Sequence, residues 1–131
     1  MVTTRPDLLY KDESFEIVGA AFEVFNQLGS GHREKTYQRA MAEELKKRGI
    51  KFKEQFYVPV KYNGVKVGKN FFDFLIYDKI VVELKCGKYF SGAHIKQVVD
   101  YLASSGLQLG IILNFTSEGV KQKRLVNIIK K

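Results

Sequence analysis

Two apolar runs in the middle of the chain each carry one carboxylate: Phe71-Phe72-Asp73-Phe74-Leu75-Ile76 and Ile80-Val81-Val82-Glu83-Leu84-Lys85. Side chains alternate between the faces of a strand, so Ile80, Val82 and Leu84 share one face while Val81, Glu83 and Lys85 share the other. A charge inside an apolar strand is costly unless it is paired or holds a metal. Asp78-Lys79 marks a turn between the runs, and the length of that turn decides whether the two acids meet. A two-residue turn pairs Tyr77 with Ile80 and sets Asp73 opposite Leu84, on the wrong face from Glu83 and Lys85. A three-residue turn, Tyr77-Asp78-Lys79, sets Ile76 opposite Ile80 and Asp73 opposite Glu83. An odd-length turn, or a bulge beside Asp73, is therefore the condition for a shared site.

The rest of the chain supplies helices around these strands. Ile17, Ala20, Ala21, Val24 and Leu28 repeat at helical spacing over about 14–28, and Gly29-Ser30-Gly31 stops them. A second helix is expected over about 33–48, with Tyr37, Met41 and Leu45 four apart and Gly49 beyond its end. Alternation from Phe56 to Tyr62 followed by Asn63-Gly64 predicts a strand entering a hairpin turn. After the acidic strands come a polar segment (87–91), a helix over about 92–104, a buried strand from Leu109 to Phe115, and a basic element over 120–129. The order is ααβββαβ plus that tail. No linker divides it, so residues 1–131 read as one α/β domain, with about the first ten expected to be disordered.

Composition narrows the functions open to such a domain. The formal charge is +8, from 22 Lys and Arg against 14 Asp and Glu, which favours polyanionic partners such as nucleic acid and also serves plain solubility. Cys86 is the lone cysteine, so an intrachain disulfide, a cysteine-rich zinc site and a four-cysteine cluster are excluded. No run is long enough to span a membrane, and residues 1–13 lack the apolar stretch of a signal peptide. A cytoplasmic location is the expectation.

Two carboxylates and a lysine are the groups that phosphodiester hydrolysis uses. Carboxylate oxygens bind a hard cation, the cation polarises the phosphate and acidifies bound water, and a lysine offsets charge developing on phosphorus. An ordinary Glu83–Lys85 or Asp73–Lys85 ion pair would account for the same residues.

Asp73 followed by Glu83-Leu84-Lys85 resembles the D…(D/E)-x-K core of the PD-(D/E)XK nuclease superfamily, with Phe72 where that pattern has proline. Gly31-His32-Arg33-Glu34-Lys35-Thr36-Tyr37 is similar to the Gly-x-x-Glu-x-x-Tyr signature of the GxxExxY family within it. Ala40, Glu44-Leu45, His94-x-x-Gln97-x-x-x-Tyr101-Leu102 and Leu109 to Phe115 follow in order, so the resemblance runs from about Ile17 to Phe115.

It implies a restriction-endonuclease-like fold, a central mixed sheet flanked by helices, acting as a metal-dependent nuclease on DNA ahead of RNA. Asp73 and Glu83 would hold Mg²⁺ or Mn²⁺ with the Leu84 carbonyl as a third ligand. Glu34 would assist directly or through water, and Lys85 would activate water. Gln97 and Tyr101 resemble the Gln-x-x-x-Tyr motif of RecB-type nucleases and would orient substrate. His94 shares their helix face; it would touch phosphate or carry a proton, and a surface or hydrogen-bonded histidine is the plainer reading of the same residue. Tyr37 would pack in the core with its hydroxyl toward the site. The rival reading is a nucleic-acid- or partner-binding module on the same fold with little turnover.

Overall fold

The computed structural model describes residues 9–88 and 92–127. The expectations for the first eight residues, for 89–91 and for 128–131 therefore lie outside the described residues. Helix α1 is Lys11–Leu28 and α2 is Glu34–Lys47; β1 is Phe52–Tyr62, β2 Val65–Ile76 and β3 Ile80–Cys86; α3 is Gly92–Ser105; β4 is Leu109–Thr116 and β5 Gly119–Val126. The basic tail is thus a strand as far as Val126, antiparallel to β4. The five strands lie in the order β1-β2-β3-β4-β5, all neighbours antiparallel except the parallel β3–β4 pair. This is the mixed sheet flanked by helices that the sequence implied.

Helical periodicity becomes packing in a direct way. Ile17, Ala20, Ala21 and Val24 of α1, with Tyr37, Met41 and Leu45 of α2, bury one side of the sheet against Ile76, Ile80, Val82, Leu84, Ile111 and Leu113. Val98 and Leu102 of α3 cover the other side against Phe72, Val81 and Ile112. Val81 and Ile112, the latter opposite Glu83 in the β3–β4 ladder, fix the α3 side as the side of Glu83 and Lys85.

The hairpin of β1 and β2 is longer than its hydrophobic alternation suggests, because β1 starts at Phe52 and β2 at Val65. Its register runs from Phe52↔Ile76 to Tyr62↔Val65, with an irregularity at Val60/Lys61. The β2–β3 ladder, by contrast, holds three pairs: Phe74↔Val82, Leu75↔Val81 and Ile76↔Ile80. Before Phe74 the strands part, and Val65 to Phe72 are paired with β1 alone. Residues 56–72 form a tongue projecting past the point where β2 leaves β3.

The turn between β2 and β3 is Tyr77-Asp78-Lys79, three residues long. Tyr77 and Asp78 both have left-handed backbones (φ 56° and 57°), the signature of a tight primed turn, and the Lys79 N–H donates to the Ile76 carbonyl at 3.1 Å. Lys51 Nζ lies 2.6 Å from Asp78 Oδ2, and the Tyr77 N–H donates to the Lys51 carbonyl at 3.0 Å, tying the turn to the start of β1.

Where β2 parts from β3 its pleat also breaks. Residues two apart on a strand share a face, yet Phe74 packs under α1 and α2 whereas Phe72 packs under α3. The neighbouring strand switches at the same level, since Phe52 packs with the first cluster and Phe56 with the second. Between them, Gln55 of β1 has φ 48°.

Gly110 sets the distance of α3 from the sheet. A Cβ there would stand 2.5 Å from Val98 Cγ1 and 3.2 Å from Val81 Cγ1, and both neighbours are β-branched and buried. Gly110→Ala is expected to push α3 outward and destabilise the fold by about 1–3 kcal/mol. A urea denaturation midpoint equal to that of the parent would contradict this packing.

Candidate active site

The carboxylates meet where the strands part. Asp73 Oδ2 accepts the Leu84 N–H at 2.7 Å, and Glu83 Oε1 accepts the Asp73 N–H at 2.7 Å. Each acid thus replaces a backbone bond that the interrupted ladder no longer makes, and each fixes the other's strand. Against the effect of burial, the Gln55 and Glu83 side chains each lower the pKa of the Asp73 carboxyl a little as well. Lys85 Nζ is 3.8 Å from Glu83 Oε2, with both side chains mostly buried.

The electrostatics follow from this crowding. Burial is the largest influence on Glu83 and the Asp73 charge the next; together they overcome the Asp73 N–H and Lys85 and push Glu83 up to about 7. Asp73 is raised as well, by burial, against the Leu84 N–H and Lys85. Two carboxylates and one ammonium leave the site short of positive charge.

Glu34, the first residue of α2, belongs to the same field. Burial raises its pKa and so does Asp73, while Lys85 and His94 lower it. α2 and α3 thus bring Glu34 and His94 toward the sheet end that carries Lys85. Among the described residues, however, no three His, Cys, Asp or Glu side chains form a ready metal cluster.

Other expected residues lie elsewhere. Tyr37 is buried and stacks on Phe115 with ring centroids 4.3 Å apart. Its hydroxyl is committed to the α1–α2 loop and does not turn to the acids as expected: it donates to the Gly29 carbonyl at 2.6 Å and lies 3.4 Å from the His32 N–H. Gln97 and Tyr101 lie along the tongue, in a cleft of about 450 Å³ lined also by Val58, Asn70, Asp100 and Ser104. Tyr101 packs on Phe72 at 5.0 Å and Phe56 at 6.1 Å. Gln55 is the residue that sequence reasoning missed. It ends a polar run, Lys53-Glu54-Gln55, with nothing to signal its left-handed backbone.

The residues present suit a hard divalent cation. Such ions take oxygen ligands, and buried carboxylates in need of positive charge supply them. A residue in an extended strand points its N–H and C=O to the same edge. Leu84, whose N–H reaches Asp73, therefore turns its carbonyl to that edge too.

The sequence matches the PD-(D/E)XK nuclease superfamily over residues 11–126, and the chain belongs to that superfamily. Nucleases of this kind typically use divalent metals. Among solved structures it resembles the crystal structure of SSO0001, with a TM-score of 0.57 and 20% identity over 73% of this chain and 50% of that one. A looser likeness is to an alkaline exonuclease from Laribacter hongkongensis, with a TM-score of 0.41 and 15% identity over 71% and 54% of the two chains. The chain spans about half the length of these proteins. No curated protein sequence matches it.

The raised acids have a consequence for stability. Folded, Glu83 keeps its proton to about pH 7; unfolded, it loses it near the ordinary value of 4.5. Between those values the folded state binds more protons, so this group's contribution to stability falls as pH rises. In chelator, Glu83→Gln is expected to flatten the loss of urea midpoint between about pH 5 and pH 8. The same slope in parent and variant would show that Glu83 is not held protonated.

Proposed function

We propose that this chain is a metal-dependent nuclease that hydrolyses phosphodiester bonds, in DNA ahead of RNA, at a site of Asp73, Glu83 and Lys85. The observation that carries this reading is the reciprocal bonding at the fork of β2 and β3. It ties the buried Glu83 and the half-buried Asp73 carboxylates to each other's strands beside a lysine, with too little positive charge to balance them. Asp73 and Glu83 would hold Mg²⁺ or Mn²⁺, with the Leu84 carbonyl as a main-chain ligand and Glu34 acting through water. The chemistry such an ion supplies when bound is Lewis-acid polarisation of the phosphate and a more acidic water.

The chain's own residues do the positioning. The two main-chain N–H groups each hold one oxygen of a carboxylate and leave the other to take a cation. Lys85, mostly buried beside Glu83, orients the attacking water and offsets charge that grows on the phosphate oxygens. Glu34, whose carboxyl feels the charges of Lys85 and His94, would handle a water at this site, and His94 would contact a phosphate oxygen.

Purified protein is to be incubated with single-stranded, duplex and branched DNA and RNA, with Mg²⁺, with Mn²⁺ and with chelator. Cleavage in the metal lanes alone is expected. Lys85→Ala is expected to slow it by about 10²-fold or more. Binding should change little, because one phosphate contact among many carries a small share of the affinity. A Lys85→Ala protein that cuts as fast as its parent would remove the lysine from this role. Tight binding without cleavage in any lane would establish the binding module instead.

A further inference from the structure

The tongue has an outer face that the site does not account for. Tyr57 and Phe71 lie opposite each other in the β1–β2 ladder, with ring centroids 5.5 Å apart, and they are 42% and 45% exposed. Their neighbours Phe56 and Phe72 point the other way, under α3. Lys66 Nζ stands 5.2 Å from the Tyr57 ring centroid and Lys69 Nζ 5.7 Å from that of Phe71. Between Gln55 and Asp73 the sequence holds Lys61, Lys66 and Lys69 and no acidic residue. Paired, half-exposed aromatic rings with ammonium groups beside them, on a strand segment free of negative charge, are not what solubility requires.

We propose that this outer face, Tyr57 and Phe71 with Lys66 and Lys69, is a platform for single-stranded nucleic acid whose bases stack on the two rings. Every base has a π-face, but only an unpaired base can offer it to a side chain. The lysines, held beside the rings by cation–π attraction, lie where the phosphates flanking a stacked base would pass. Phe71 is two residues from Asp73 on the same strand, but its ring lies on the sheet face away from α3 and from Glu83 and Lys85, so the platform is a binding surface in its own right and does not rest on the nuclease reading.

The chain has no tryptophan, so Tyr57→Trp and Phe71→Trp each introduce one reporter ring. In chelator, emission of both is expected to be quenched by oligodeoxythymidylate and unchanged by a blunt duplex of equal length. The double variant Tyr57→Ala/Phe71→Ala should bind the oligonucleotide at least about tenfold more weakly. Its fold should persist, with a melting temperature lowered only modestly by loss of the cross-strand pair, and its duplex affinity should be unchanged. Unquenched tryptophans, or a double variant that binds the single strand as tightly as the parent, would overturn the platform. So would quenching that follows protein concentration without nucleic acid, which would assign the face to a second copy of the chain. The two readings fail separately. Metal-dependent cleavage with unquenched tryptophans leaves the nuclease and removes the platform, whereas quenching without cleavage does the reverse.

Discussion

The candidate site depends on two hydrogen bonds that exchange a backbone ladder for carboxylates. Strands that part inside a protein expose N–H and C=O groups, and buried backbone groups left without partners are costly. Here the N–H groups of Asp73 and Leu84 are satisfied by Glu83 and Asp73 respectively. The acids are therefore structural at the fork. The arrangement is strained electrostatically, which is why Glu83 takes up a proton until about pH 7. A divalent cation would replace that proton and balance the pair.

Everything around the fork keeps the two acids aligned. The left-handed residues Tyr77 and Asp78 make the turn three residues long, and a turn one residue shorter would face Asp73 the other way. The switch of faces at Gln55 and Asp73 lets the tongue pack Phe56 and Phe72 under α3 while Phe74 stays under α1 and α2. A non-glycine residue in the left-handed region costs roughly 1–2 kcal/mol. Gln55 carries that cost across from Asp73, whose carboxyl pKa, raised by burial, it helps to lower.

Much of this was legible in the sequence because the relevant signals are local. Helical spacing in Ile17 to Leu28, the Asn63-Gly64 turn, and the charges placed in two apolar runs each follow from one stretch of chain. The register could be reduced to two alternatives by counting from Asp78-Lys79. What was not legible depends on contacts between distant segments. Tyr37 was placed correctly on the inward face of α2, but its hydroxyl goes to Gly29, across a loop whose path the periodicity does not describe. The spacing of Gln97 and Tyr101 shows that they share a helix face. Which part of the sheet they cover depends on where β2 leaves β3 and on how closely Gly110 admits Val98. β1 begins at Phe52, ahead of its alternation, because Lys53, Glu54 and Gln55 are polar residues of an edge strand and carry no alternating signal.

The central claim is that the paired acids at the fork take up a divalent cation in place of a proton. Calorimetric titration of the folded chain with Mn²⁺ at about pH 6, in two buffers of different ionisation enthalpy, measures both events together. The expected result is one ion per chain with net proton release, the release vanishing by about pH 8, and binding lost in Asp73→Asn. The absence of binding heat, or an Asp73→Asn chain that binds Mn²⁺ and releases protons like its parent, would contradict the account.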